Sequence, residues 1–348
     1  MMQIRFRSLV LGALVLLSPL GVNAGERASS PMPYPSMPEA VSSFGATVCD
    51  GYLYQFSGHV GRIPGNSIDG LSPHFCRIRI DNPAAEWESL PMHVASQSPG
   101  LVAWNGNVYR VGGLSFRNKL GEPTEHHSLD VFAKYDPRAK KWTDLPALPA
   151  PRSSLDAAVV DGRLYVVGGW NLQENGPTGA VWHEDVWVFD LAREDRTWKP
   201  VAKPPFVTRA LAAASYRGKL YVMGGMSSDN KITRNVHVYD PAGDAWSEGP
   251  PLPENDRFSG FAISAFAANN RLYYSGSGGV VYRLSDDGRK WESVERLLFP
   301  RSFHRLVADG SKVILLGGVA RGGGYLANVE FIDVARSSTA AKAVEWSF

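Results

Sequence analysis

The sequence predicts an all-β chain built from six copies of one four-stranded sheet. Three observations carry that reading. An apolar strand closing on glycine recurs along the chain. It is clearest in Leu164-Tyr165-Val166-Val167-Gly168-Gly169, Leu220-Tyr221-Val222-Met223-Gly224-Gly225 and Val108 to Gly113, and weaker over Tyr52 to Gly58, Leu272 to Gly279 and Val313 to Gly318. A tryptophan follows each copy, at 87, 142, 198, 246, 291 and 346, with spacings of 55, 56, 48, 45 and 55 residues. Finally, a tight-turn pair precedes each apolar strand: Asp50-Gly51, Asn105-Gly106, Asp161-Gly162, Arg217-Gly218, Asn269-Asn270 and Asp309-Gly310. Asn, Asp and Gly tolerate positive φ, which two-residue hairpins require.

Each element has a reason. In the third copy, strand A runs from Leu155 to Val160 and turns at Asp161-Gly162; strand B is Arg163 to Gly168, strand C about Asp185 to Asp190, and strand D surrounds Trp198. The continuous apolar run of strand B suits a strand covered on both faces. The glycine pair permits positive φ and close backbone approach, and the tryptophan offers a large apolar body to seal one sheet on the next. These residues are expected to be scaffold.

A period near 50 with a glycine pair and a later tryptophan resembles the kelch repeat, and the resemblance covers nearly the whole chain after its leader. It implies a six-bladed kelch-type β-propeller with four antiparallel strands per blade over 43–348. Ring closure is expected either by simple juxtaposition of the first and last blades or through the Pro-rich stretch Pro31 to Pro38, within a segment spanning 25–42. Residues 1–24 read as a signal peptide: Arg5 and Arg7, an apolar run from Leu9 to Leu20, and Val22-Asn23-Ala24 before the cut. The expected location is therefore periplasmic or extracellular, with no membrane span in the mature chain.

Charge narrows the partners. Without the first 24 residues, which hold two arginines and no acid, 34 basic residues face 34 acidic ones. A nucleic-acid partner calls for a basic excess, so none is expected. The two cysteines, Cys49 and Cys76, fall on strands A and C of the first blade. Two strand spacings, about 9–10 Å, exceed disulfide reach, so two buried free thiols are expected.

Strand direction places the B–C and D–A connections on one face. The B–C loops are long in blades one to three (Gly58 to Pro73, Gly113 to Ser128, Gly169 to His183) and nearly absent in blade five, leaving a notch in the rim. Seven of eight histidines fall on this loop face, among them His59, His183 and His304. They are either site residues or simply what long polar loops carry. Arg152, Arg209, Arg257 and Arg301 precede strand A in blades three to six, where blades one and two carry Ser42 and Ser96. In a kelch-like propeller strand A is innermost, so these arginines would ring the channel mouth and suit a carboxylate; alternatively they hold loop carbonyls. Trp170, directly after the third glycine pair, is placed to stack on a sugar or to anchor its loop.

The expected function is binding of a small carbohydrate, an acidic ligand or a peptide at the loop-face end of the channel, with no cofactor and no metal. The resemblance extends distantly to sialic acid mutarotases, which implies an enzymatic alternative. It would need an acid–base pair beside an arginine, drawn from His304, Glu184 or Asp156. Kelch motifs also occur in galactose oxidase. That family has seven blades, a Cys–Tyr thioether and a further domain, none of which six repeats with both cysteines in blade one provide.

Overall fold

The chain divides into two units, 1–31 and 32–348. The structure, a computed structural model, describes residues 34–334 apart from 64–65, 83, 174–175 and 194–196, all within the second unit. The proposed leader and Trp346 lie outside the described residues. Six antiparallel sheets follow one another in chain order, five of them four-stranded in the order A-B-C-D. The described part of the sixth holds strands A to C: Arg305–Asp309, Lys312–Leu316 and Val329–Asp333. Among the described residues no helix is long and apolar enough to cross a membrane.

The turns form as their residues dictate. Asp161 and Gly162 both take positive φ, +48° and +75°, which matches the right-handed twist of the strands they join. Strand B of blade three (Arg163–Val167) is then almost wholly buried from Leu164 onward. The core lies between blades, not within them. Val160, Tyr165 and Val167 of blade three pack against Leu211, Leu220, Val222 and Tyr239 of blade four.

Two hydrogen-bonding devices recur around the ring. In five of the six blades the glycine that closes strand B donates its N–H to the entry segment of the following blade: Gly58 to Ser96 O, Gly113 to Arg152 O, Gly169 to Thr208 O, Gly225 to Gly260 O and Gly318 to Val41 O, all at 2.7–3.1 Å; in blade five Gly279 N–H bonds Gly276 O instead. A Cβ on Gly168 would fall 2.4 Å from Leu211 Cδ2 and 2.7 Å from Thr208 O, which is why no side chain fits there. The tryptophans supply the second device. Nε1 of Trp87, Trp142, Trp198, Trp246 and Trp291 donates to the carbonyls of Pro35, Pro91, Pro146, Ala202 and Pro250. Each is thus a hydrogen-bonded clamp on the connection entering its own blade, as well as an apolar seal.

Closure uses both routes that the sequence left open. Strand A of blade one (Gly45–Cys49) packs directly beside strand A of blade six. The segment from Tyr34 is also wedged at the seam: Met37 N–H donates to Ala327 O, and the Tyr34 hydroxyl donates to Ile80 O. Tyr34, Met37 and Val41 share one buried cluster with Ile314, Leu316 and Val329 of blade six. Cys49 and Cys76 flank strand B, both buried and free. Burial pushes the thiols up to about 11 and about 12, so neither is a reactive thiolate at neutral pH.

The clamp is directly testable. Trp198→Phe keeps an aromatic body but loses the 2.8 Å bond to Pro146 O, and is expected to cost about 1 kcal/mol. Trp198→Ala should cost about 3–5 kcal/mol. A Trp198→Phe variant as stable in urea unfolding as the parent protein would show that the bond contributes nothing.

Candidate functional site

The loop-face end of the channel is drawn together by a backbone collar. Six residues just before strand A take left-handed φ: Ser43, Ser98, Ser154, Ala210, Ala262 and Phe303, all between +51° and +57°. They bond head to tail around the axis: Ser98 N to Ser43 O, Ser43 N to Phe303 O, Phe303 N to Ala262 O, Ala262 N to Ala210 O and Ala210 N to Ser154 O. None is glycine, so each position carries strain that the ring of bonds offsets.

Just inside the collar, one ion pair crosses the channel. Arg305 of blade six reaches Asp156 of blade three at 3.2 Å. Its Nε donates to Phe44 O and its Nη2 to Pro99 O, while Asp156 accepts the Ala213 N–H. This single pair ties together inner strands from five of the six blades. Beyond it lies a cavity of about 300 Å³ walled by small side chains such as Ala46, Ala103, Ala158 and Ala214. The mouth is therefore a shallow basin above a plugged channel.

The proposed site residues separate into groups. Arg209 and Trp170 meet: the guanidinium carbon lies 4.1 Å from the centre of the indole, with Phe261 at 5.6 Å and Trp182 at 5.9 Å. Arg209 Nη2 donates to Met226 Sδ, and its buried Nε has no partner. Burial pulls its pKa down, and no neighbouring charge opposes or adds to that. Trp170 is buried, with Arg209 over its face and Trp182 against its edge. It anchors its loop and leaves no open face for a sugar ring.

Arg152, His183 and Asp185 form a second group. Arg152 donates to Gly168 O and Asp185 O and pairs with the Asp185 carboxylate. His183 bonds Pro151 O, and burial, with Arg152 nearby, brings it down to about 4. Arg301 is likewise buried, donating to Gly317 O and pairing with Glu330. His304 beside it is buried, and neither ring nitrogen is hydrogen-bonded. His59 bonds the Tyr325 hydroxyl at 2.9 Å. Arg257 stands exposed over Phe258.

Two expectations need correction. Counted from the left-handed collar residue, the position of Arg152 is filled around the ring by Val41, Ser96, Arg152, Thr208, Gly260 and Arg301. Only two of the four arginines are thus equivalent. Arg209 stands one residue later, and Arg257 belongs to a turn outside the ring. Arg152 and Arg301 are about 1% exposed and hold loop carbonyls, the alternative the sequence left open. The suggested acid–base groups do not converge on any one of the four arginines: Glu184 pairs with Lys203, Asp156 with Arg305, and His304 is enclosed beside Arg301. The plug itself escaped sequence reasoning. A charged residue within each of two apolar inner strands, Asp156 and Arg305, was its only signal.

Comparisons with known proteins agree with this architecture. A model of the kelch-repeat domain shared by KLHDC2, KLHL20 and DRC7 matches residues 121–279. Kelch-like protein 35 of Mus musculus is 33% identical over 162 residues, covering 47% of this chain and 24% of that protein. Kelch-like protein terF of Aspergillus terreus is 26% identical over 229 residues, covering 62% and 46%. These matches span less than half the length of either relative. The solved structure of YjhT superposes with a TM-score of 0.68 over 86% of this chain and 99% of that one, at 15% identity, a likeness of fold alone.

His304 provides a pH test of the site's packing. The corresponding residues are Phe44, Pro99, Leu155, Leu211 and Ile263, all apolar. Burial, with Arg301 and Arg305 nearby, drops the His304 pKa from 6.5 to about 3. A depressed folded-state pKa means stability is intact above pH 6.5 and falls as pH drops toward 3. His304→Leu should remove that part of the acid sensitivity and add about 1–3 kcal/mol at pH 7 by deleting unpaired buried nitrogens. Unfolding midpoints from pH 7 to pH 4 check both; a parallel acid profile in the variant would refute the assignment.

Proposed function

We propose that this chain, a kelch-repeat β-propeller, is a binding module whose loop face docks a protein segment bearing a carboxylate. One observation carries the reading. Among the described residues, all seven exposed large apolar side chains fall in B–C or D–A connections: Ile68, Val94, Leu120, Val181, Phe258, Leu298 and Phe299. Scattered singly over a surface such residues mean little; confined to one face they favour a protein contact. Arg209 supplies the polar anchor. Its guanidinium lies over the Trp170 ring and has no carboxylate partner among the described residues, so an incoming carboxylate completes it.

An acid–base enzyme is supported less well, because no titratable neighbour bears on Arg209. Isotope-exchange NMR of sialic acid anomers is expected to show no rate change on adding the protein; acceleration would favour catalysis.

Panning a random peptide library on the purified protein should enrich sequences that combine Asp or Glu with large apolar residues. Arg209→Ala should weaken selected peptides about 10- to 100-fold, the value of a charge-assisted hydrogen bond, and Arg209→Lys should not restore them. Selection without an acidic bias, or equal binding by Arg209→Ala, would sink the proposal.

A further inference from the structure

The rim of the loop face is broken at blade five. Its strands B and C, Arg271–Ser275 and Val280–Leu284, are joined by only Gly276 to Gly279. The short turn closes over a buried carboxylate. Glu254 accepts the Tyr274 hydroxyl at 2.8 Å, and a Cβ on Gly276 or Gly278 would come within 2.4–2.5 Å of its oxygens. Where the other blades raise a loop, this one leaves a gap beside a depression of about 320 Å³.

The gap is basic. Arg234 and Arg257 line the depression together with Asn230, Asn255 and Ser259. Among the described residues Arg234 donates one N–H to Glu254 O and makes no ion pair, and Arg257 stands over the Phe258 ring. Arg321 is close enough to act on the Asp256 carboxyl, and its backbone N–H is fixed to Pro300 O. Against these three guanidiniums stand two carboxyl groups: Glu254, buried under the turn and bonded to Tyr274, and Asp256, which already accepts Phe258 N–H and the Ser259 and Ser277 hydroxyls. Its work is to hold the turn that presents Arg257.

The gap also has an apolar lip. Phe258, Leu298 and Phe299 are 45%, 57% and 39% exposed. Pro300 packs onto Gly279, where a Cβ would meet it at 2.7 Å, so the connection carrying Leu298 and Phe299 borders the short turn. Arg234 and Arg257, which make no ion pair among the described residues, and Arg321 beside three exposed apolar side chains fit an acidic residue with a large apolar neighbour.

We infer that the blade-five gap is a second subsite, separate from Arg209, that takes an acidic–apolar residue pair on an extended peptide. The inference rests on the binding reading of the loop face. Two subsites on one surface let two weak contacts act as one through effective concentration, and their losses should combine additively because they share no partner.

The probe is a fluorescent peptide with two Glu-Leu pairs separated by a Gly-Ser spacer, with Gln-Leu and Lys-Leu versions as controls. Arg257→Glu with Arg321→Glu should weaken the Glu-Leu peptide at least tenfold and flatten its salt dependence, leaving the unfolding midpoint unchanged because both sites are exposed. Phe258→Ser with Leu298→Ser should weaken it without changing the salt dependence. The peptide's residual binding to Arg209→Ala should vanish when the two charge reversals are added. If the gap variants bind like the parent protein while Arg209→Ala does not, the second subsite is wrong and the binding reading stands. If the Glu-Leu peptide binds no better than the Gln-Leu version to the parent protein, both fall.

Discussion

The hydrogen bond from the glycine that closes strand B to the entry segment of the next blade, made in five of the six blades, is the constraint on which the structure depends. A sheet of four short strands has no core of its own; it acquires one only when a neighbour covers it. The glycine N–H fixes how far and at what angle the neighbour sits, and a Cβ at the pair would strike that neighbour's backbone or leucine. Once that approach is set, Leu211 reaches Gly168, the tryptophan indole reaches its carbonyl, and the left-handed residues fall into register around the axis. The collar and the cross-channel ion pair are consequences of the same spacing.

That dependence explains what could be read in advance. The glycine pairs, turn dipeptides and tryptophans perform one local task in every copy, so each repeats in sequence, and the six blades, buried strands B and free cysteines were legible from them. The Trp–carbonyl bonds were hidden because their acceptors are backbone atoms, which leave no residue signature. The arginine ring was misread for a related reason. Collar and glycine pair keep the same spacing in blades three and four, but Arg209 stands one residue nearer its glycine pair, Gly224, than Arg152 stands to Gly168. That single residue turns the side chain from the interblade seam toward the loops. Trp170 looked available because its loop is on the surface, whereas Arg209 covers its ring.

The arginines can be sorted by where their N–H groups end. In blades three and six, Arg152 and Arg301 satisfy the carbonyl of the first glycine of the pair, Gly168 and Gly317. Blades one and two lack an arginine at that ring position, and the carbonyl is met from strand B instead: Gln55 bonds Ser57 O and Arg110 bonds Gly112 O. Two different positions thus do the same work, which marks it as a requirement of the scaffold: a buried carbonyl left unpaired costs more than the bond itself contributes. Arg209 meets no such requirement. It satisfies no carbonyl among the described residues, gives one N–H to a thioether, a weak acceptor, and keeps Nε unpaired under an indole. A guanidinium held in place yet left short of acceptors is costly to the folded protein alone. A partner that brings a carboxylate removes that cost, whereas Arg152 and Arg301 already hold a glycine carbonyl and a carboxylate of their own blade.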